Sequence, residues 1–230
     1  MKKTLIITSY LEHEKQLKKE DLKGFHTIIC ADGGYIVADR LGLTPHYIIG
    51  DFDSSKNPGN ETPIEVEKTF TSQDLQHMDF QGKRIITLPK RKDMTDTEAA
   101  LVFAMEKGAT SVNVLGGIGG RLDHTLGNMA LLARYVNSGC NLLFFDGQNS
   151  MRMLAPGSHT IEKGNFKYTG LASWTPVCTG ITLSGFKYNA EDLTLTFDTT
   201  LGISNEIIDE KGTISLNEGL LMVAMSKDMQ

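Results

Sequence analysis

The chain lacks the features that mark membrane-spanning and nucleic-acid-binding proteins. No apolar run in its 230 residues approaches the length that crosses a bilayer. It carries 23 Lys and Arg against 28 Asp and Glu, so no basic excess is present to bind nucleic acid in general. The net charge of −5 is still compatible with an anionic ligand, because a bound metal ion reverses the local charge. We therefore expect neither a membrane nor a nucleic acid as partner.

Cysteine is also scarce, with only Cys30, Cys140 and Cys178 in the chain. An odd and dispersed set does not form a disulfide framework, and Cys30 stands in a strand-like run, which predicts a buried thiol. The segment after Lys2 and Lys3 turns polar too soon for a signal peptide and fits a first strand better. These features predict a cytoplasmic protein.

Strand-like and helical patterns alternate up to about residue 146. Helical spacing appears over residues 35–41, 98–107 and 125–136. Strand-like apolar runs lie between them, at residues 4–8, 27–31, 47–49, 84–88, 111–115 and 142–145. This alternation predicts an α/β N-terminal domain with a mainly parallel sheet.

After Asp146-Gly147 the pattern changes to short β-prone runs separated by turn residues. They cover residues 151–154, 159–161, 167–172, 181–186, 193–197 and 220–225. This predicts a C-terminal all-β domain, sandwich or barrel-like, so the domains are expected at residues 1–147 and 148–230. Residues 54–80 are polar and without periodicity, which fits either an active-site loop or a poorly ordered insertion.

Four charged or glycine-rich motifs each follow an apolar run. Ligands of open α/β sheets bind at the carboxyl ends of the strands, so the four motifs are expected at one edge. They span residues 31–34, 50–54, 93–98 and 116–123. Carboxylates, glycines and an arginine together predict a polyphosphate and divalent-metal site.

Asp51 and Asp53 stand at alternate positions just past a predicted strand. Two such carboxylates can converge on one divalent cation, because hard cations prefer oxygen ligands. The alternative is a turn in which Asp and Ser side chains bond the local backbone. A calcium-binding EF-hand loop is excluded, since Lys56 and Thr62 occupy its glycine and glutamate positions.

The segment from Asp93 to Glu98 has the pattern of a helix start. Thr95 is the predicted N-cap and Glu98 is expected to reach back to it as a capping box. Asp96 in the first turn suits the helix dipole, and a helix N-terminus is also a phosphate site. Lys92 and its two basic neighbours supply cations beside the motif.

The glycine-rich motif ends in Arg121, Asp123 and His124. Its backbone amides can approach an anion, and the guanidinium matches phosphate oxygens. Neither the Walker nor the dinucleotide spacing is met. A turn needed only for tight packing leaves the three charged residues unexplained. His124 fits a base or a structural helix start equally well.

In their order and spacing these motifs resemble the thiamin pyrophosphokinase family. The resemblance covers nearly the whole chain and is carried by Ala31-Asp32-Gly33-Gly34, Gly50-Asp51-Phe52-Asp53-Ser54, Asp93-x-x-Asp96-x-Glu98, Gly119-Gly120-Arg121-x-Asp123-His124 with Asn128, Gly185-Phe186-Lys187-Tyr188 and Gly202-Ile203-Ser204-Asn205-Glu206. The stretch around Trp174 and residues 54–80 match no family pattern.

The resemblance implies a catalytic α/β domain and a β domain that contributes to a thiamin pocket. It implies transfer of the terminal pyrophosphoryl group of ATP to the hydroxyl of thiamin, with Mg²⁺ and release of AMP. It also implies a homodimer with active sites between the subunits. Thiamin and ATP are then the small-molecule partners.

Carried over residue by residue, the resemblance assigns roles at the predicted site. Asp51, Asp53 and Asp96 would hold Mg²⁺, and Asp96 would also orient or deprotonate the substrate hydroxyl. Arg121 joins them as a catalytic residue. The binding residues implied are Asp32, Gly33, Gly34, Lys92, Asp93, Thr95, Gly117, Gly119, Gly120, Arg121, Asp123, His124, Asn128, Ser204 and Asn205.

Two other functions fit parts of the sequence. Asp51-x-Asp53 after a strand suits a haloacid-dehalogenase-type phosphatase, which would form an aspartyl-phosphate on Asp51. Ser55 and the unused glycine-rich motif weigh against it. A non-catalytic nucleotide sensor would bind ATP without making AMP, but it does not need so many converging carboxylates.

Overall fold

One ten-stranded sheet runs through both halves of the chain in the computed structural model, which describes residues 2–52, 64–65 and 85–229. Seven parallel strands form its N-terminal part, in the order β4-β5-β3-β2-β1-β6-β7. They are β1 (Lys3–Ile7), β2 (Thr27–Ala31), β3 (Tyr47–Gly50), β4 (Ile64–Glu65), β5 (Ile85–Thr87), β6 (Ser111–Leu115) and β7 (Asn141–Phe145). Continuous Val, Ile and Leu runs suit such strands because both faces are covered.

Among the described residues, three α-helices cover the two faces of the parallel part. They are α1 (Gly34–Arg40), α2 (Asp96–Glu106) and α3 (Leu122–Tyr135). Helix α2 packs one face, where the run from Ala99 to Ala104 is fully buried with strand residues such as Ile6 and Val114. Helix α1 packs the other face through Val37 and Ala38. The connection between β1 and β2 holds two 3₁₀ helices, Glu14–Gln16 and Lys19–Leu22.

The C-terminal part is antiparallel and has two layers. Strands β8 (Asn149–Leu154), β14 (Leu221–Ser226) and β10 (Tyr168–Ser173) continue the large sheet beyond β7. A second sheet has the order β12-β11-β13-β9. Its strands are β9 (Gly157–Glu162), β11 (Val177–Ser184), β12 (Ala190–Thr196) and β13 (Lys211–Leu216). A separate core that includes Ile181, Phe186 and Val223 fills the space between the layers.

The predicted fold class is confirmed: a mainly parallel α/β part precedes an all-β part of two antiparallel layers. Two strands were missed. Strand β13 alternates cleanly, but its buried positions begin with Gly212, which weakened the apolar signal. Strand β4 has only two residues. The predicted strand 181–186 instead spans Val177–Ser184, because a register irregularity before Ile181 interrupts the alternation.

Other sequence predictions concern burial and membrane spans. Cys30 is a buried free thiol, as expected, and burial raises its pKa to about 12. In the described part of the chain, no helix combines the length and apolar composition needed to cross a bilayer. The proposed loop at residues 54–80 lies outside the described residues apart from β4.

Two glycines give a stability test of the packing between α1 and the sheet. A Cβ at Gly34 would lie 2.0 Å from the Ile7 carbonyl oxygen, so Gly34→Ala must push α1 off β1. We expect a loss of more than about 3 kcal/mol of unfolding free energy, measured by urea denaturation.

Gly127→Ala is the matched control inside helix α3. A Cβ there would contact nothing within 4 Å, so the helix propensity of alanine should stabilise the protein by about 0.5–1 kcal/mol. Equal effects of the two substitutions would contradict the close approach of α1 to β1.

Candidate active site

The loops after β2 and β3 meet at the carboxyl edge of the parallel sheet. The backbone N–H of Asp32 donates to the Ile49 carbonyl at 2.7 Å, and a Cβ on Gly50 would lie 2.8 Å from Asp32 Cα. Asp32 and Phe52 have φ of 45° and 52°, a left-handed backbone that non-glycine residues rarely adopt. Strain of this kind collects at binding sites, where the surrounding structure enforces it.

Lys92 joins two of the predicted metal-binding carboxylates. Its ammonium forms a close ion pair with Asp51 and lies 3.2 Å from Oδ1 of Asp96. The Lys92 side chain is only 6% exposed. Burial lowers the pKa of Lys92, but the two carboxylates outweigh that effect and the pKa lies above its usual value. Lys92 is therefore a buried cation held between two acids.

The carboxyl group of Asp96 has a pKa well above its usual value. Burial raises the pKa of Asp96, the Asp51 and Asp32 charges raise it further, and Lys92 lowers it, with a result of about 6. Asp32, Asp51 and Asp96 are therefore close enough to act on one another; we call these three the carboxylate cluster. A pKa near neutrality is the property expected of a general base.

Helix α2 begins where the sequence predicted. Thr95 is the N-cap, and its hydroxyl accepts a hydrogen bond from the Glu98 N–H at 3.2 Å. The second half of the predicted capping box is wrong. The buried Glu98 carboxylate instead accepts a hydrogen bond from the Tyr135 hydroxyl at 2.9 Å, and Arg134 lies 3.4 Å away. Packing of α2 against α3 outweighs the local cap.

The glycine-rich loop rests on a residue that the sequence did not single out. The Gly117 N–H donates to the Tyr10 carbonyl at 3.1 Å, and a Cβ on Gly120 would lie 2.5 Å from the Tyr10 ring. Both glycines have positive φ, 71° and 60°. Burial and a hydrogen bond with Glu12 raise the pKa of Tyr10. The only available signal was the position of Tyr10 just past the central strand β1.

Two of the motifs border a common cleft between α2 and α3. The α2–α3 cleft has a volume of about 460 Å³ and is lined by Thr95 and Thr97 from one helix and by Asp123, His124 and Asn128 from the other. Asn128 is buried and donates its amide hydrogen to the Gly117 carbonyl at 2.7 Å, which fixes the loop. The cleft therefore brings the third and fourth motifs together.

Arg121 lies at the exposed start of α3, with 74% of its side chain accessible. Its guanidinium forms a two-pronged contact with Asp123, at 3.1 and 2.6 Å. This pairing lowers the pKa of Asp123. Arg121 therefore lies beside the cleft. The oxygens of a phosphate ligand could replace the Asp123 carboxylate as the partner of its guanidinium.

Ser204 and Asn205 lie far from these motifs. They belong to a segment that pairs with β10, where the Asn205 backbone exchanges hydrogen bonds with Thr169. The buried Asn205 amide bonds the backbone of Tyr188 on both sides, at 3.0 and 2.8 Å. Ser204 has φ of 64°. Asn205 thus stabilises the loop, whereas the side chain of Ser204 is exposed and available to contact a ligand.

The remaining predicted site residues lie at several places along the carboxyl edge of the sheet. Gly33 and Gly34 begin helix α1 beside Asp32, and Asp93 is exposed next to Lys92. Gly119 exchanges hydrogen bonds with the Thr125 hydroxyl at 3.1 and 3.2 Å. Asp53 lies outside the described residues. Among residues 2–52, 64–65 and 85–229, no three His, Cys, Asp or Glu side chains converge on one metal position.

The donor set nevertheless fits a hard divalent cation. Asp51 and Asp96 already enclose one positive charge, the Lys92 ammonium. Oδ1 of Asp96 is buried, and Lys92 approaches it without forming a well-aligned hydrogen bond, so within the described chain this oxygen keeps its acceptor capacity. Carboxylate oxygens on a buried edge are suitable Mg²⁺ ligands.

Fold and site together define an α/β protein with a carboxylate cluster and a buried lysine at the carboxyl edge of its parallel sheet. The family profile "Thiamin pyrophosphokinase, catalytic domain" matches residues 19–144. The profile "Thiamin pyrophosphokinase, vitamin B1 binding domain" matches residues 158–221. The chain therefore belongs to the thiamin pyrophosphokinase family.

Individual relatives agree. The thiamine pyrophosphokinase of Bacillus subtilis (strain 168) is 33% identical over 213 residues, which are 90% of this chain and 92% of that protein. The crystal structure of the Bacillus subtilis enzyme has a TM-score of 0.78 at 30% identity and covers 99% of this chain and 100% of its own. That of thiamin pyrophosphokinase from Geobacillus thermodenitrificans has a TM-score of 0.77 at 28% identity, with 99% of each chain covered.

The raised pKa of Asp96 predicts a gain in stability when its charge is removed. The folded protein binds the Asp96 proton more tightly than the unfolded chain does. The contribution of Asp96 to the unfolding free energy therefore falls as the pH rises from 3.8 to about 6. In EDTA at neutral pH, Asp96→Asn should therefore raise the unfolding free energy by about 1–3 kcal/mol.

Measuring the unfolding free energies of both proteins at several pH values supplies the control. Below pH 3.8 the wild-type carboxyl is protonated in both states, so the advantage of Asp96→Asn should vanish. A variant that is less stable than the wild type at neutral pH would show that the ion pair with Lys92 outweighs the burial of the carboxylate.

Proposed function

We propose that this chain is a Mg²⁺-dependent enzyme that transfers the terminal pyrophosphoryl group of ATP to the hydroxyl of thiamin and releases AMP, and that it acts as a homodimer. Family membership supports the transferase activity and both substrates. The observation that carries the chemistry is the buried Lys92 between Asp51 and Asp96. The phosphatase and sensor alternatives are not favoured by the comparisons.

Asp51 and Asp96 would hold the metal, with Asp53 as the third predicted ligand. Mg²⁺ bound there would neutralise charge on the triphosphate. Because Lys92 occupies the space between the two acids, its flexible side chain would be displaced toward the phosphate oxygens. The site would then keep its charge balance with and without substrate.

Asp96 suits the role of proton acceptor. In the metal-free protein the pKa of Asp96 is about 6, so its carboxylate is mostly ionised at neutral pH. One carboxylate oxygen would bind the metal and the other would accept the proton. The thiamin oxygen would form a bond to the β-phosphorus of ATP as its proton passes to Asp96. The bond from that phosphorus to the oxygen shared with the α-phosphorus breaks, and AMP leaves with the electron pair.

The remaining motifs would bind the phosphates. The N–H groups at the start of α2, around Thr95, point their partial positive charge toward the cleft. Arg121 can turn from Asp123 to a phosphate oxygen, since both side chains are exposed. Positioning and electrostatic stabilisation of this kind account for most catalysis of phosphoryl transfer.

The sheet order supports a site shared between two subunits. Ser204 lies beside β10 at one edge of the large sheet, and Asp51 follows β3, seven strand positions away. At about 4.8 Å per strand this is roughly 34 Å, several times the width of a small-molecule pocket. Both sets of residues can contact one thiamin only if they come from different subunits.

Exposed apolar side chains lie near both halves of the proposed shared site. Leu201 and Ile203 precede Ser204 and are 69% and 56% exposed, and Leu122 and Leu126 on α3 are 69% and 52% exposed. Large exposed apolar groups are typical of interaction surfaces. A two-fold dimer that places one surface on the other would bury both and complete two equal sites.

We retain the division into residues 1–147 and 148–230 as a proposal. It is supported by the bounds of the two family profiles, although the large sheet continues across the division. We also propose that the enzyme works in the cytoplasm, since it would consume ATP and its three cysteines are free thiols.

Product analysis tests the reaction itself. With ATP, Mg²⁺ and thiamin we expect AMP and thiamin diphosphate in equal amounts, and no reaction in EDTA. Release of phosphate or ADP would instead indicate a phosphatase or an ordinary kinase, and ATP binding without products would indicate a sensor.

Substitution of the charged residues tests their roles. Arg121→Ala and Asp96→Asn should each lower kcat by roughly 10²-fold or more, as losses of electrostatic stabilisers do. Arg40→Ala is the matched control, because this arginine pairs with Glu14 on the exposed end of α1 and should leave turnover unchanged. Near-normal turnover of folded Arg121→Ala or Asp96→Asn would contradict the assignment.

Mixed dimers test the shared site. Asp96→Asn and Ser204→Arg should each be inactive alone, because each homodimer carries its substitution in both of its sites. After the two are unfolded and refolded together, random pairing gives half heterodimers with one intact site each, or about a quarter of the wild-type activity. If thiamin bound within a single chain, the mixture would stay inactive.

A further inference from the structure

Arg152 is a charged residue on the inner side of β8 that the proposed reaction does not use. It lies on the same face of β8 as Leu154, which belongs to the core between the two layers. Its side chain is mostly buried, and burial lowers the pKa of its guanidinium. Within the described part of the chain it has no hydrogen bond or ion pair, whereas Arg40, Arg121 and Arg134 each face a carboxylate.

Such a group requires a partner from outside the fold. Arginine stays protonated in proteins and carries five N–H donors, so burial does not neutralise it. A buried charge without hydrogen bonds is strongly unfavourable, and native proteins supply buried charges with a counter-charge or with water. The surroundings of Arg152 show which of these fits.

Arg152 lines a cavity of about 630 Å³ at the amino ends of the parallel strands. Lys3, Ser111 and Asn141, which begin β1, β6 and β7, lie along one side, and His159 on β9 lies along the other. The cavity also contains one carboxylate, that of Glu162. Lys3 and Arg152 therefore outnumber the acid, and the lining has a positive excess.

The lining also offers neutral donors and an apolar wall. Strand β9 stands at the edge of the second sheet, and edge strands present unpaired backbone N–H groups. His159 Nε2 lies 2.8 Å from the Ala155 carbonyl, so the ring is anchored as part of the wall. Leu142, Leu143 and Met153 supply apolar surface. Polar and apolar residues thus share the lining about equally, and the volume lies in the range of small-molecule sites.

This cavity is separate from the carboxylate cluster. Lys3, Ser111 and Asn141 are the first residues of strands whose carboxyl ends carry the candidate active site. Five residues of extended chain place the two ends about 16 Å apart. An anion bound at Arg152 would therefore not be in contact with Asp51 or Asp96.

We propose that the cavity lined by Arg152, Lys3 and Asn141 is a second ligand site, which binds a small organic anion through its carboxylate or phosphate oxygens. The guanidinium matches either head group with two parallel hydrogen bonds. The apolar wall formed by Leu142, Leu143 and Met153 receives the rest of the molecule. The site does not depend on the reaction proposed above.

The experiment follows the arginine Nε–H signals of the ¹⁵N-labelled full chain by NMR. The Arg152 signal is assigned as the one that disappears in Arg152→Gln. Phenyl phosphate, benzoate and neutral benzamide are added in turn to about 10 mM, which nearly saturates a site with a dissociation constant of about 1 mM. The two anions distinguish a phosphate site from a carboxylate site, and benzamide controls for binding of the ring alone.

We expect a saturable shift of the Arg152 signal with at least one anion and none with benzamide. Arg152→Lys keeps the charge but loses the planar guanidinium that makes two parallel hydrogen bonds. It should therefore bind that anion at least tenfold more weakly in calorimetry. Arg40→Gln and Asp96→Asn should leave the Arg152 shift unchanged. No shift with either anion, an equal shift with benzamide, or parallel shifts of all arginines would overturn the proposal in favour of a hydrated guanidinium.

Discussion

The turn between β7 and β8 is the constraint on which the rest of the molecule depends, because there the parallel sheet becomes antiparallel. Asp146 is fully buried in this turn and accepts hydrogen bonds from the backbone N–H groups of Gln148 and Asn149, at 3.0 and 2.7 Å. Gly147 takes a φ of 93° that closes the hairpin. A buried carboxylate satisfied by backbone donors fixes the register of β8 on β7. The two halves consequently form one continuous sheet, and the distance between its edges is set by strand spacing. Residues beside β10 and after β3 are kept apart within one chain, and the intersubunit site that we propose depends on this separation.

Charge at the carboxyl edge is balanced inside the protein. Three strand and helix ends bring Asp32, Asp51 and Asp96 together, and without a cation their repulsion would oppose folding. Lys92 supplies that cation from the segment just before α2. The compensation is incomplete, because the pKa of Asp96 is still raised. The protein is thus less stable at the position where we propose a base and a metal ligand, which is the usual relation between activity and stability at active sites.

Much of the fold could be predicted from the sequence because its signals are local. The apolar runs of β2 and β6 are bounded by turn residues, and their predicted limits match the structure. Thr95 was recognisable as an N-cap for the same reason. The role of Glu98 was not, since its partner Tyr135 is 37 residues away and only packing brings it near. The separation of Ser204 from Asp51 was also hidden, because motifs order residues along the chain but do not give their positions in the sheet.

The two ends of the parallel sheet treat buried charge in opposite ways, and the contrast indicates what each end needs. At the carboxyl end, acids and Lys92 neutralise one another, so the site can form before any ligand arrives. At the amino end, Arg152 forms no ion pair with the described residues, and the Glu162 carboxylate in its cavity is outnumbered by Arg152 and Lys3. Replacing a buried charge by an apolar side chain generally stabilises a fold, so an arginine within the apolar run from Met151 to Leu154 favours a function over packing. A preformed cation with an open cavity beside it is the arrangement that an external anion can complete at little reorganisation cost.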